Sequence, residues 1–446
     1  MEITLAEILE AREQRVLRQK ELLTQYGKSL ICFTLNIAGP VKDSPLIQAG
    51  FRLGDRLLNA QLEGSGIRIL HRETLFAPTG PTGFYVADAD ALHLKKLACE
   101  AEDSSPAARL FDMDVLAPDG SKYSREDLGL APRKCLICQN DARICGRSRT
   151  HTVEQLQKKT NELLQNALWS DTARQLASTA VQSLLWEVCT TPKPGLVDCQ
   201  NSGSHTDMDI FTFCSSAAGL YPYFEHCVRI GLETAELPAE ATLSRLRLPG
   251  KAAEQVMYAA TGGVNTHKGA IFSLGILCAA AGRTRSRDGD ILLDQCAQMT
   301  RGICRRELGM GCTNGQALYA KYGTRGIRGQ AEMGFPAVKV GLEVLSNGLA
   351  QGLSLNDSGC AALLHMLVTA EDTNLLHRSD PDTCQSILRE LTELLAAEPY
   401  PTKDRLNTLD ADFIQKNLSA GGSADLLALV YFLHLLGKKR QECLII

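Results

Sequence analysis

A chain of 446 residues, 44% hydrophobic and 22% charged with a net charge of -4, is too long for one ordinary core and too apolar to be disordered or fibrous. The near balance of acids and bases leaves no electrostatic footprint for nucleic acid, so none is expected as a partner. The 16 cysteines are scattered except at Cys135, Cys138 and Cys145, which fits reduced thiols in a cytoplasmic protein.

The N-terminus opens on the acidic, helix-forming run Leu5 to Glu10, without the basic and apolar regions of an export signal. From Lys28 to Gly120, short β-rich runs such as Leu30 to Leu35 and Leu110 to Leu116 are separated by Gly and Pro turns. They predict an α/β or α+β domain. In Leu110 to Leu116 a period of two puts Asp112 and Asp114 on one strand face, with Phe111, Met113 and Val115 on the other. Two close carboxylates suit Mg²⁺ bridged to a polyphosphate, and a solvated strand face explains the pattern equally well. Asp88 and Asp90 share that spacing but stand where Ala91 to Leu97 begins a helix, so they read as capping groups. Lys42, in the turn Asn36 to Pro45, is either a phosphate contact or a solvated loop lysine.

Cys135, Cys138, Cys145 and His151 offer four soft ligands in a short segment, enough for a tetrahedral Zn²⁺ site, although the longer gaps match no standard zinc module. Buried free thiols are the alternative. Arg133, Lys134, Arg143, Arg147 and Arg149 surround the cluster and suit a polyanionic substrate or a solvated rim. A reading from another class makes this segment a zinc-centred regulatory module that binds protein or nucleic acid.

After His151, Val153, Leu156, Leu163, Leu164, Ala167 and Leu168 recur at helical spacing, and Ser170-Asp171 predicts a fresh N-cap. The boundary is therefore placed near residues 155 to 170, giving domains of 1-160 and 170-446. The second half reads as all-α. Its apolar runs Ala270 to Ala281 and Leu426 to Leu436 predict buried helices shorter than a bilayer span, so no membrane is expected.

Polar groups of the second half gather at four places near helix ends, where free N–H groups favour anions. The first is Thr191 to Asp198, leading through Asn201, His205, Asp207 and Asp209 to a helix near Phe211. The others are Thr261 to Gly269, Gly326 to Glu332, and Glu371 to Asn374 together with Ser419 to Asp425. Glycines let a backbone approach phosphate, His267, Lys268 and Arg328 can balance its charge, and the carboxylates can hold Mg²⁺. Each place alone has a capping explanation; four in one domain favour a nucleotide site.

On these residues the chain resembles two enzyme families in tandem. Thr191 to Asp198, His205 with Asp207-Met208, Thr261 to Gly269, Glu371 to Asn374 and Gly421 to Leu427 resemble triphosphoribosyl-dephospho-CoA synthase. Gly39-Pro40 with Lys42, Arg109 to Leu116, and Pro132 to Cys138 through His151 resemble the holo-acyl-carrier-protein synthase of citrate lyase, which implies a nucleotidyltransferase-like first domain. The resemblance implies that ATP and 3'-dephospho-CoA give triphosphoribosyl-dephospho-CoA and adenine. Phosphoribosyl-dephospho-CoA then passes to a serine of the acyl-carrier (gamma) subunit of citrate lyase, releasing pyrophosphate. The carrier of malonate decarboxylase is the alternative acceptor.

The implied catalytic groups are Asp112, Asp114, His205, Asp207, Glu332 and Asp372, with Mg²⁺ at Asp112 and Asp114 and at Asp207, Asp209 and Asp372. Substrate contacts fall to Lys42, Arg109, Arg133, Lys193, Asn265, His267, Lys268, Arg328, Asn374, Gly421, Gly422 and Ser423. The chain departs from the family patterns at Ser105, Ala108, Cys199, Gln330, Ser379 and Ala420.

Overall fold

The computed structural model describes residues 2–138, 140–308 and 314–438, and the chain divides between Asp171 and Thr172 into two units. In the first, helix α1 (Leu5–Tyr26) starts with a capping box between Thr4 and Glu7. Strand β1 (Ser29–Leu35), helix α2 (Pro45–Gly64), strands β2 (Ile69–Leu75) and β3 (Thr82–Ala87), helix α3 (Ala91–Asp103) and strands β4 (Phe111–Leu116) and β5 (Lys122–Tyr123) follow. The sheet order is β2-β3-β1-β4-β5 and every neighbouring pair is antiparallel, so of the two expected classes this unit is α+β.

Side chains alternate across the pleat. Ile31, Phe33, Tyr85, Phe111, Met113 and Val115 pack on α2 and α3, whereas Leu30, Cys32, Phe84 and Val86 meet Leu22 and Leu23 of α1. The period of two read in Phe111 to Leu116 is thus the pleat of β4. Asp90 caps α3 by accepting from the N–H groups of Leu92 and His93, and Asp88 pairs with Lys28 at 2.6 Å.

Helix α4 (Ala142–Ser148) precedes α5 (Val153–Cys189), and here one expectation is corrected. Ser170 and Asp171 do not cap a new helix; they lie inside α5. A buried stripe at every fourth position, Thr160, Leu164, Leu168, Thr172, Leu176, Ala180, Leu184 and Val188, carries the helix through them. Tertiary burial outweighs a local capping signal.

From Thr172 onward the described residues hold helices and no strand, in line with the all-α expectation. The helices Lys268–Thr284 and Gly421–Lys438 are buried almost all round. Lys268–Thr284 lies so close to Tyr221–Glu233 that a Cβ on Gly231 would strike the carbonyl of Ala279, and one on Gly282 the carbonyl of Val228. No described helix is long and apolar enough to cross a membrane.

Candidate active sites of the two units

In the first unit, Asp112 and Asp114 project from β4 on the face that carries Cys32 and Thr34 of β1, their register partners. Lys122 pairs with Asp114 at 2.7 Å. Asp112 still touches solvent, yet surrounding protein atoms and then the neighbouring Asp114 push its carboxyl above the usual range. Two carboxyl groups side by side on one strand face make a place that favours a cation. Arg15 of α1 acts on the same face, where its charge reaches Cys32 and its Nε is buried without a partner. Sequence reading passed it over because it lies on a polar helix far from any motif.

The remaining candidates of this unit stand near the cysteine segment. Arg133 donates to the Phe111 carbonyl at 2.9 Å and pairs with buried Glu102, which also accepts from the Met113 N–H at 2.8 Å. Arg133 thereby ties the segment to β4. Arg109 donates to the Lys134 carbonyl, and its Nε is buried without a partner. Lys42 donates to the Ile37 carbonyl, and burial followed by the charge of Arg12 lowers its pKa. A cavity of about 230 Å³ is lined by Asn36, Arg109, Arg133, Lys134, Cys145 and His151, among others. Its cationic rim suits a phosphate.

Cys135, Cys138, Cys145 and His151 converge, with one donor atom of each within 4.8 Å of the others. Burial would raise the Cys135 thiol, but N–H groups of Cys138 and Ile137 outweigh it and lower the pKa. Cys145 is raised to about 11, first by its hydrogen bond with Cys138.

In the second unit the four polar segments meet. His205 Nε2 lies 3.0 Å from Ser419 Oγ, and Arg378, from the helix Thr373–Arg378, donates to His205 Nδ1 at 3.1 Å and to the Ser204 carbonyl at 2.9 Å. The Gly195 N–H and the Asn201 amide both donate to Asp410, at 2.9 and 2.7 Å. The Arg325 N–H reaches Glu371 at 2.7 Å. Asp425 accepts from the Ala270 N–H and presses so close to Gly269 that no side chain fits there. Burial, then Glu187, pushes the Asp425 carboxyl well above its usual range.

Several expected roles look different in place. Lys193 is enclosed against the carboxylate and carbonyl of Glu187, so its ammonium faces a neighbour and not solvent. Asp372 accepts from the Asn374 and Leu375 N–H groups on one oxygen and from Ser423 N–H and Oγ–H on the other. All four accepting positions of the carboxylate are used, and the anion at the Gly421-Gly422-Ser423 helix start is the chain's own. Because an arginine can only donate, His205 Nδ1 must accept, which fixes Nε2–H as the donor to Ser419. Burial, then Arg378, lowers its pKa.

Asp209 caps the helix Ile210–Gly219 in a capping box, while Asp207 is exposed. Asn265 accepts from the Lys268 N–H, Lys268 pairs with Glu254 at 3.1 Å, and Arg328 pairs with Glu307 at 3.0 Å. Glu332 faces the Cys304 thiol, and Asn374 lies against Gly421. His267 is buried, with Nδ1 at 2.8 Å from Ser216 Oγ and Nε2 unpartnered; burial, then Lys193, pushes it down to about 3. A second cavity, of about 490 Å³, is lined by Tyr322, Glu371, Asp372, Leu376, Pro381 and Cys384, among others. Asp410 and Arg378 were missed. Asp410 carried a signal, a carboxylate at i+4 from Leu406 on the apolar face of Lys403–Gln415.

Comparison with known proteins adds the context. Residues 173–443 match the family model CitG, ATP:dephospho-CoA triphosphoribosyl transferase, and residues 3–167 match CitX, apo-citrate lyase phosphoribosyl-dephospho-CoA transferase. Protein CitXG of Haemophilus influenzae is 36% identical over 96% of this chain and 96% of its own length. Protein CitXG of Leuconostoc mesenteroides subsp. cremoris is 35% identical over 97% of each. The 2-(5''-triphosphoribosyl)-3'-dephosphocoenzyme-A synthase of Klebsiella pneumoniae is 39% identical over 58% of this chain and 90% of its own.

Proposed function

The chain belongs to the CitXG family, in which a CitX domain precedes a CitG domain, and on that premise we propose that it makes and attaches the citrate lyase prosthetic group. Residues 170-446 carry the first reaction. The 2'-hydroxyl of 3'-dephospho-CoA attacks C1 of the ATP ribose, adenine leaves, and triphosphoribosyl-dephospho-CoA results. Residues 1-160 carry the second, a nucleotidyl transfer in which a serine hydroxyl of the acyl-carrier subunit takes phosphoribosyl-dephospho-CoA and pyrophosphate leaves.

The observation that carries this reading is the meeting of four sequence-distant polar segments around His205, Asp372 and Asp425. There the exposed Asp207 remains for a ligand, while Arg378 and Asp410 position His205 and the Gly195 loop. Asp372, with its oxygens filled, does not fit a Mg²⁺ ligand. Asp112 and Asp114 do, because a divalent ion would offset the burial and the nearby Asp114 charge that raise Asp112. Held there, Mg²⁺ would neutralise the departing pyrophosphate, and the cations of the 230 Å³ cavity, Arg109, Arg133 and Lys134, would bind the phosphates.

The test is to incubate the purified chain with ATP, Mg²⁺ and 3'-dephospho-CoA and follow free adenine by chromatography. Release above an ATP-only control is expected, and none would reject the first reaction. Apo-carriers of citrate lyase and of malonate decarboxylase, compared for mass gain, identify the acceptor.

A further inference from the structure

Between Pro118 and Lys159, Cys145 is the only described residue that is buried. A stretch of that length without an apolar core needs another source of order, which small protein segments obtain from disulfides or metals. The chain nevertheless builds defined structure there. The Cys135 N–H donates to the Asn140 carbonyl at 2.8 Å, the Ala142 N–H to the Arg133 carbonyl at 2.9 Å, and Asp141 caps α4. At the centre of this turn and helix stand the three thiols and one imidazole.

We propose that Cys135, Cys138, Cys145 and His151 bind a single zinc ion in a closed structural site that holds one wall of the cationic cavity in place. Four ligands in tetrahedral array, with Zn–S near 2.3 Å and Zn–N near 2.0 Å, lie about 3.5–3.8 Å apart. Cys138 Sγ is 3.4 Å from Cys145 Sγ and 3.3 Å from His151 Nε2, so small movements complete the array. The Ile137 N–H donates to Cys135 Sγ at 3.4 Å, as suits a thiolate that keeps a net negative charge on the metal. Three soft sulfurs and an imidazole select zinc over the hard cations, and four protein ligands leave no open position for chemistry.

The consequence for substrate is positional. Cys135, Cys145 and His151 line the same cavity as Arg109, Arg133 and Lys134, and Arg109 donates to the carbonyl of Lys134, next to the first ligand. With the ion in place the cationic wall is preformed. Without it, the segment is tied to the sheet by the Arg133 bridge to Glu102 and Phe111, the Arg109 bond to the Lys134 carbonyl and the packing of Leu136 against Ile37 and Leu110, none of which fixes Cys138 to His151. Zinc loss therefore raises the KM of carrier transfer and leaves adenine release unchanged.

The experiment uses the full chain purified without chelators. Elemental analysis should find about one zinc per chain, and cobalt(II) exchanged for it should show thiolate-to-metal charge transfer with the strong visible bands of a tetrahedral ion. Cys138→Ser and Cys145→Ser should lose the metal, whereas Cys99→Ser, at a buried thiol of α3, should keep it. Zinc-free protein that takes up none overturns the proposal, as does zinc retained by the Cys138→Ser/Cys145→Ser double variant or a Cys138–Cys145 disulfide in protein kept reduced. If the variants do not fold, the cobalt spectrum of the parent decides, because absence of thiolate charge transfer would exclude these ligands whatever the activity assays show.

Discussion

The paired carboxylates of β4 in the first unit and the polar groups gathered at helix ends in the second are arranged in opposite ways. In the first, Asp112 and Asp114 stand on a strand face where Lys122 pairs with Asp114 and Asp112 still touches solvent. In the second, Lys193, Asp372, His205, Asp410 and Asp425 are tied to one another or to backbone N–H groups. A strand face presents its side chains whatever else the fold does, since the pleat sets their direction. A helix end offers N–H groups that neighbouring carboxylates take up, so polar motifs there serve architecture as readily as ligands. The difference teaches that exposure of function is a property of the element as much as of the residue.

Breaking the buried lysine pair should produce the largest effect. Lys193→Met leaves Glu187 buried without its counter-charge and is expected to destabilise the second unit by about 3–5 kcal/mol, seen as a lowered midpoint in urea followed by circular dichroism. Adding Glu187→Leu should recover most of the loss. No recovery would mean that the pair is held open to water and that the units differ less than described.

Next in size, Asp112→Asn and Asp114→Asn should each slow carrier modification on the order of 100-fold, with adenine release and circular dichroism unchanged. The readout is mass gain of apo-carrier supplied with preformed triphosphoribosyl-dephospho-CoA. Parental rates in a folded double variant would make the pair a solvated strand face.

A smaller effect separates the units by pH. His267 titrates near 3 in the folded chain against an ordinary value of 6.5. Between those values the unfolded chain holds the extra proton, so stability falls as pH drops from 6.5 toward 3, by up to about 1.4 kcal/mol per pH unit. The slope measured in urea between pH 7 and 5 should flatten in His267→Gln, and an unchanged slope would assign the loss to other groups. Smallest of all, Lys28→Ala removes an exposed ion pair with Asp88 and should leave the melting temperature unchanged within error.

These contrasts also mark what the sequence could tell. The β4 pair was legible because strand periodicity is local, and the antiparallel α+β order was not, because it depends on which strands meet. The cysteine cluster was legible by residue type, but its irregular gaps became compatible only once the Lys134–Asp141 bridge and α4 folded the segment back on itself. Ser170-Asp171 misled because capping chemistry is visible within a single turn, whereas the buried stripe that overrides it runs the length of α5. The role of His205 was illegible for a related reason, since Arg378 and Ser419 reach it from far along the chain.

The Asp372 clamp on the Gly421 helix start has one more consequence. In the vocabulary of inhibition, Asp372 is an intramolecular competitor, tethered at an effective concentration set by the fold. A phosphate that engaged the Ser423 N–H would first have to displace one oxygen of that carboxylate, while the other oxygen keeps the cap of the helix Thr373–Arg378.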